Sequence, residues 1–593
     1  MIKINRSIFL AAAMAVVSVF PLASCQDMLS PGSDTVEFVE DNQLNTVHDT
    51  LYTVLGIVSE MQKIADRTVI LGEVRGDLVA NTDKASTSIK ELASFDVKDG
   101  NVYNNIADFY AVINNCNYFL ANANMNLHKL GEQTFEKEYA VVKAYRAWTY
   151  LQLAKIYGEV PLVLEPVTTI SQAELAEQQD YKNIKEICNF FIEDLKPYVN
   201  TIMPNYAVTS NGTQLLGTSR KFFIPVRVLL GELCLWAERY NESAQFFHDY
   251  LTFNNHAVTT GTSKTQWGSN IKEAMQQGSQ SPWSGGFISD ITDPESDEII
   301  SYIPMELSQF NGTISSLEDV YQSTQNNKYY AQVVPSASVK QISRSQKYCQ
   351  VNDITAVLKD TVILEESDYK NLKTDLLYGD LRLNASYTYA YIGQDITSHY
   401  SADRNTIMKF SRTCIPTYRV QQVYLMFAEA LNLAGFPETA FAILKYGICQ
   451  YNMEKMHYIS EKEQARAARF LGFKENTVYA NNFDQYNTQG IHSRGSGDAY
   501  ANKDFYKIDM PKQASYEDSI PVMMPLVEEK ILEEMALEEA FEGTRYYNLM
   551  RMALRKNNPA ILAEAVAKRN GTKDEALFTR LMDKKNWYLP IKK

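Results

Sequence analysis

The segment FEKEYAVVKAYRAWTYLQLAKIY, residues 135–157, has the period of an α-helix and is apolar over most of its circumference. Such a helix has no face suited to water and has to be enclosed by neighbours. The chain supplies them. Val47, Leu51, Val54, Val58, Met61 and Ala65 recur at spacings of three and four, which predicts an amphipathic helix beginning near Asn45. A further long helix is expected over 103–127, and Gly158 with Pro161 closes the enclosed one.

Later stretches repeat a single plan. VRVLLGELCLWAERYNESAQFFHDYL, 226–251, and RVQQVYLMFAEALNLAGFPETAFAILKYGI, 419–448, each read as a helix, a polar break and a second helix. Ala237 with Ala244, and Ala434 with Ala440, put small residues where the helices of a tetratricopeptide-like hairpin cross, although the full repeat consensus is absent. Residues 523–556 form one more pair, broken near Gly543. Between 256 and 403 the periodicity gives way to Gly, Ser, Asn, Gln and Thr, with short β-like runs such as DEIISYI. The expected fold is therefore mainly α: a tetratricopeptide-like helical-hairpin scaffold with a loop-rich insertion region containing short β-strands.

The N-terminus carries a different signal. Lys3 and Arg6 precede an apolar run from Ile8 to Phe20, shorter than the roughly 20 residues that cross a bilayer. Leu22-Ala23-Ser24-Cys25 follows, and it resembles the lipobox of bacterial lipoproteins, in which the cysteine becomes the acylated N-terminus. Several acyl chains, at about 0.8 kcal/mol per buried CH2, anchor a protein firmly. The expected organisation is a leader over 1–24, acylated Cys25 and a flexible tether over 25–44, a helical region over 45–255, a ligand-facing region over 256–403 and a helical region over 404–593, all in one compact unit.

Sites of chemistry are scarce. A formal charge of −14 argues against a nucleic-acid partner, which needs clustered Lys and Arg. The seven cysteines include no C-x-x-C pair, and the seven histidines no H-E-x-x-H. A nucleophile elbow, a Walker loop and G-x-G-x-x-G are all missing. The acidic turns 289–298 and 96–101 lack the spacing of a calcium loop, so no cofactor is expected and no signal supports structural Ca2+. Glu533, Glu534, Glu538 and Glu539 read as a helical run that forms a solvated face or pairs with Lys and Arg at i,i+4. Aromatic residues in polar loops are the better candidates for binding. Trp267, Trp283 and Phe287 sit in Gly/Ser-rich sequence, and Tyr329 and Tyr330 in NNKYYAQ. A ring held there suits the flat face of a sugar. Trp283 either offers its ring in this way or plugs its own loop, and Trp267 favours the second alternative.

Taken together, several segments resemble the SusD/RagB family of outer-membrane nutrient-binding lipoproteins. They are KAYRAWTYLQLAKIYGEVPLV at 143–163, RGD at 75–77, ESDEIISYI at 295–303, GDLRL at 379–383, MKFSRTCIPTYRVQQVYLMFAEALNLAG at 408–435 and EEAFEGTRYYNLMR at 538–551. Gln421, Gln422 and Phe410 depart from the family's usual residues. The resemblance implies about four helix pairs as scaffold, and a non-enzymatic protein anchored through Cys25 and exposed on the cell outer membrane. It further implies an oligosaccharide ligand and delivery to a SusC-like TonB-dependent transporter. The alternatives are peptide capture by the same architecture, as in RagB-like proteins, and a surface glycoside hydrolase.

Overall fold

The computed structural model describes residue 44 and residues 47–591, apart from 130, 207–208, 211–212, 215–218, 255, 259–281, 306–311, 323–330, 352–360, 364, 367–377, 390–404, 411–412, 450–452, 454–457, 474–487 and 498–501. Helix α1 (Val47–Glu73) continues past Ala65, because Val69, Ile70 and Leu71 prolong its buried stripe. Helix α2 (Ala107–Asn122) is shorter than the expected 103–127. Asparagines explain its limits. The Asn101 and Asn105 side chains accept the backbone N–H of Tyr103 and Ala107 at 3.1 and 3.2 Å, and Asn124 accepts that of Asn126 at 3.1 Å. Short amides of this kind offer the backbone an alternative to the helix.

Helix α3 (Glu136–Tyr157) is the enclosed one, buried at every position from Ala144 to Tyr157. Its phenols are satisfied on backbone: Tyr145 donates to the Phe222 carbonyl at 2.9 Å and Tyr150 to that of Val163 at 2.8 Å. It packs on α2 and on α4 (Ile184–Leu195), whose start is fixed by a capping box between Asn183 and Glu186. Helices α5 (Val226–Trp236) and α6 (Tyr240–Phe253) make the first expected hairpin. They touch closely at Gly231, where a Cβ would fall inside the Phe247 ring.

The middle region holds more helix than expected. Among its described residues are α7 (Pro282–Thr292), Leu317–Tyr321, Ala337–Arg344 and α8 (Leu381–Ser386). These are too short for sequence periodicity to reveal. Caps fix two of them: the Ser336 hydroxyl accepts from Val339 N–H at 3.2 Å and the Asp380 carboxylate from Arg382 N–H at 2.9 Å. Between α7 and α8 lies β1 (Ile299–Pro304), which pairs antiparallel with β2 (Cys414–Arg419), with a bulge between Pro416 and Tyr418.

Strand β2 runs directly into α9 (Val420–Leu433), which forms the second expected hairpin with α10 (Pro437–Lys445). Pro437 opens α10, where its missing N–H is harmless. The last expected pair is α11 (Tyr516–Glu538) and α12 (Arg545–Arg555), turning through Gly543 at φ +83°. Contacts of α6 with α9, and of α9 with α11, stack the hairpins in a row. The chain ends are tied together: Arg545 grips Asp77 at 2.7 and 3.0 Å, and Arg75 lies 4.3 Å over the Tyr546 ring and donates to the Trp587 carbonyl. The RGD segment is thus a buried clasp. The six described cysteines are all buried and form no disulfide with one another. No described helix is long and apolar enough to cross a membrane.

Candidate binding site

Of the aromatic candidates, Trp267, Tyr329 and Tyr330 lie outside the described residues, as does Cys25. Trp283 falls in the first turn of α7, and its side chain is also outside them. Phe287, on the next turn, is only 6% exposed. Lys409 and Arg494 stand over its ring at 5.4 and 5.3 Å. The expectation of a ring held out in a loop is corrected here: α7 is a helix, and the inward turn of Phe287 is taken by buried cations rather than offered to solvent.

Those cations belong to a dense ionic cluster. Arg494 clamps Glu298 at 2.6 and 3.0 Å, Arg419 clamps Glu542 at 2.7 Å through two nitrogens, and Arg382 clamps Asp380 at 3.0 and 2.8 Å. Glu534 takes Arg382 at 2.8 Å and His492 at 2.6 Å, while Glu538 meets Arg382, Arg419 and Arg494. This overturns the solvated-face reading for Glu534, Glu538 and Glu539, which are all buried, whereas Glu533 is partly exposed and pairs with Lys530 one turn back at 2.7 Å. The counterions come from α8, β2 and the short helix Ser493–Ser496, positions remote in sequence, so no local i,i+4 pattern announces them.

Electrostatics follows from this packing. Burial alone would raise Glu534 and Glu538, but Arg382 and His492 at the first, and Arg494, Arg419 and Arg382 at the second, outweigh it and hold both at about 2. Each is a saturated counterion, with no proton to lend a leaving group at neutral pH. Other acids are pushed the opposite way by burial: Glu539 and Asp290 to about 7, and Glu73 to about 8. Among the described residues no group of His, Cys, Asp and Glu is arranged to hold a metal.

A second feature escaped sequence reasoning altogether. A groove of about 1130 Å3 opens where the C-terminal ends of α3, α5, α9 and α12 converge. Tyr157, Trp236, Tyr240, Tyr181 and Tyr588 supply its rings. Each comes from a different part of the chain, and of the five only Tyr181, just before the Asn183 cap, is exposed. The C-terminal segment forms one wall, with Leu589 N–H bonded to the Ile156 carbonyl at 2.9 Å and the Tyr588 ring lying against Gly158. A smaller cavity of about 100 Å3 adjoins it, and Trp236 and Arg551 line both spaces.

Comparison with known proteins places this architecture. No family model and no curated protein matches the chain. Solved structures do. A SusD superfamily protein from Bacteroides vulgatus aligns over 92% of this chain and 95% of its own, at 14% identity and a TM-score of 0.56. Another from Bacteroides fragilis aligns over 92% and 96%, at 16% identity and a TM-score of 0.55. Surface glycan-binding protein A from Bacteroides fluxus aligns over 92% and 95%, at 14% identity and a TM-score of 0.50. The chain has the SusD-like fold.

Proposed function

We propose that this protein is a non-enzymatic SusD/RagB-type binding protein, held on the outer membrane by acylated Cys25. It captures oligosaccharides at the cell surface and hands them to a SusC-like TonB-dependent transporter for import. The observation that carries this reading is the fold likeness, which runs over nearly the whole chain and includes a protein described as a surface glycan-binding protein. Two further observations support it. Glu534 and Glu538 of α11 are neutralised by guanidinium groups rather than poised as a general acid and nucleophile. The helical hairpins also form a rigid scaffold of the kind that positions binding segments inserted between its elements.

Isothermal titration of the full-length protein, in a detergent without a sugar headgroup, against panels of oligosaccharides and peptides tests the proposal. Affinity for at least one oligosaccharide without turnover is the expected result. Affinity for peptides alone, or release of shortened sugar products, overturns it. Mass spectrometry of the N-terminal fragment, with a diacyl or triacyl mass on Cys25, tests the anchor.

A further inference from the structure

We propose that the acidic and apolar shelf formed by residues 159–181, with the groove it borders, is a docking surface for a basic, apolar-bearing segment of a partner protein. The proposal goes beyond the glycan-capture reading and does not depend on it.

The first observation is uncompensated charge. Between Lys155 and Lys182 the chain carries Glu159, Glu165, Glu174, Glu177 and Asp180 and no Lys or Arg. Four of these acids are exposed and Glu177 is half-buried, and none forms an ion pair among the described residues. The two lysines that follow are committed elsewhere, Lys182 to Glu186 at 4.0 Å and Lys185 to Glu238 at 3.4 Å.

The second observation is apolar surface in the same place. Of the ten large apolar side chains exposed among the described residues, Ile170, Leu175 and Tyr181 fall within twelve positions, at 67, 65 and 46% exposure. Fraying does not account for them. The helix Ile170–Glu177 is closed at its start by a capping box between Thr169 and Gln172 and is seated on the body through buried Ala173 and Ala176, which leaves Ile170 and Leu175 in water. Exposed apolar side chains concentrated among polar ones mark an interaction surface. The antiparallel ladder of Val160–Pro161 with Tyr181–Lys182 then carries the shelf to the groove, which Glu159, Glu177 and Tyr181 line together with Ile184, Leu433 and Leu554.

These features select the partner. Five bare carboxylates repel an anionic membrane surface. A metal ion is not served, since no acids among the described residues are grouped to hold one. A small ligand in the groove leaves Ile170 and Leu175 uncovered, because neither lines it, whereas a protein face covers both. Lys and Arg of such a segment meet the carboxylates, while its apolar side chains take Ile170, Leu175 and Tyr181 and continue into the groove. Lys584 and Lys585 line the C-terminal wall without ion pairs among the described residues, so the basic positions of the segment belong at the shelf end.

Two measurements test this. In the first, a fluorescein-labelled peptide, Lys-Leu-Lys-Ile repeated three times, is titrated with the full-length protein, beside one with Glu in place of Lys and one with Ser in place of Leu and Ile. Only the Lys-Leu peptide should bind wild type. Binding should weaken about tenfold in Glu159→Lys/Glu174→Lys, both exposed changes, and about fivefold in Leu175→Ser. It should hold in Asp509→Lys/Glu365→Lys, which reverses charges that are 79 and 57% exposed elsewhere. Equal binding of the Glu or Ser peptide, unchanged affinity in the shelf variants, an equal loss in the control pair, or no binding at all overturns the proposal. In the second, Leu175→p-benzoylphenylalanine is photo-cross-linked in the living cell and the attached product sequenced. A peptide of another protein with more Lys and Arg than Asp and Glu is expected. An acidic peptide, a sugar or lipid adduct, or no adduct overturns the assignment.

Discussion

Replacing Arg382 by methionine gives the sharpest check on the ionic cluster. The side chain is fully buried and holds Asp380 at 2.8 Å, Glu534 at 2.8 Å and Glu538 at 3.3 Å. Methionine fills much of the space but leaves these carboxylates short of a counterion in a site from which water is excluded. Breaking a buried ion pair from one side costs about 3–5 kcal/mol. An unfolding entropy of about 2.1 cal/mol/K per residue gives a chain of 593 residues about 1.2 kcal/mol/K, so Tm should fall by roughly 2.5–4 °C at pH 7. The pH dependence is more telling. In the native protein Glu534 and Glu538 sit at about 2 against an ordinary 4.5, so their stabilisation is present above pH 4.5 and is lost as pH falls toward 2. Without Arg382, burial regains the upper hand at Glu534 and its carboxyl takes a proton at higher pH. The penalty measured by thermal melting should therefore shrink between pH 7 and pH 4. A loss below about 1 °C at pH 7, or a penalty that stays constant or grows on acidification, would refute the assignment of Arg382 as the counterion of these acids.

Other consequences are open to simpler measurements. Glu73 and Glu539 are raised by burial to about 8 and about 7, so folding favours their protonated forms. Their stabilisation is complete below pH 4.5, declines as pH rises from there and is gone above 7–8, so a Glu73→Gln, Glu539→Gln double variant should melt at a more nearly constant temperature between pH 5.5 and 9. Gly231→Leu drives a side chain into the Phe247 ring and should cost about 1–3 kcal/mol in urea unfolding, with Gly231→Ala nearer the low end. Asn183→Ala removes the cap of α4, whose carboxamide accepts from Lys185 and Glu186 N–H at 3.0 and 3.1 Å, at a cost of about 1 kcal/mol; an unchanged urea midpoint would contradict this role.

Much of the scaffold was legible because helices declare themselves locally. The stripe from Val47 to Ala65, the all-round apolar run of α3 and the alanine-bearing breaks at Ala237 and Ala434 each depend on residues a few positions apart. Local chemistry also set the limits of α2, where asparagines at both ends cut short a segment whose apolar pattern alone runs further. The short helices of the middle region left no such trace, because a helix of five to eleven residues is held by burial and a cap rather than by a repeating stripe.

The side-chain environments were decided only in three dimensions. Glu534 and Glu538 have the spacing of a solvated helix face, and nothing nearby in the chain distinguishes them from one. Their meaning came from Arg382, Arg419 and Arg494, brought in across more than forty intervening positions. Phe287 looked like a loop aromatic until α7 turned it beneath Lys409 and Arg494. The groove was invisible for the same reason, since Tyr157, Tyr181, Trp236, Tyr240 and Tyr588 become neighbours only when four helix ends and the C-terminal segment meet. The amino-acid order determined which segments are helical and which faces they bury, because those preferences act over one or two turns. Tertiary packing determined which charges are neutralised, which rings are covered and where a ligand-sized space remains, because those properties belong to groups far apart along the chain.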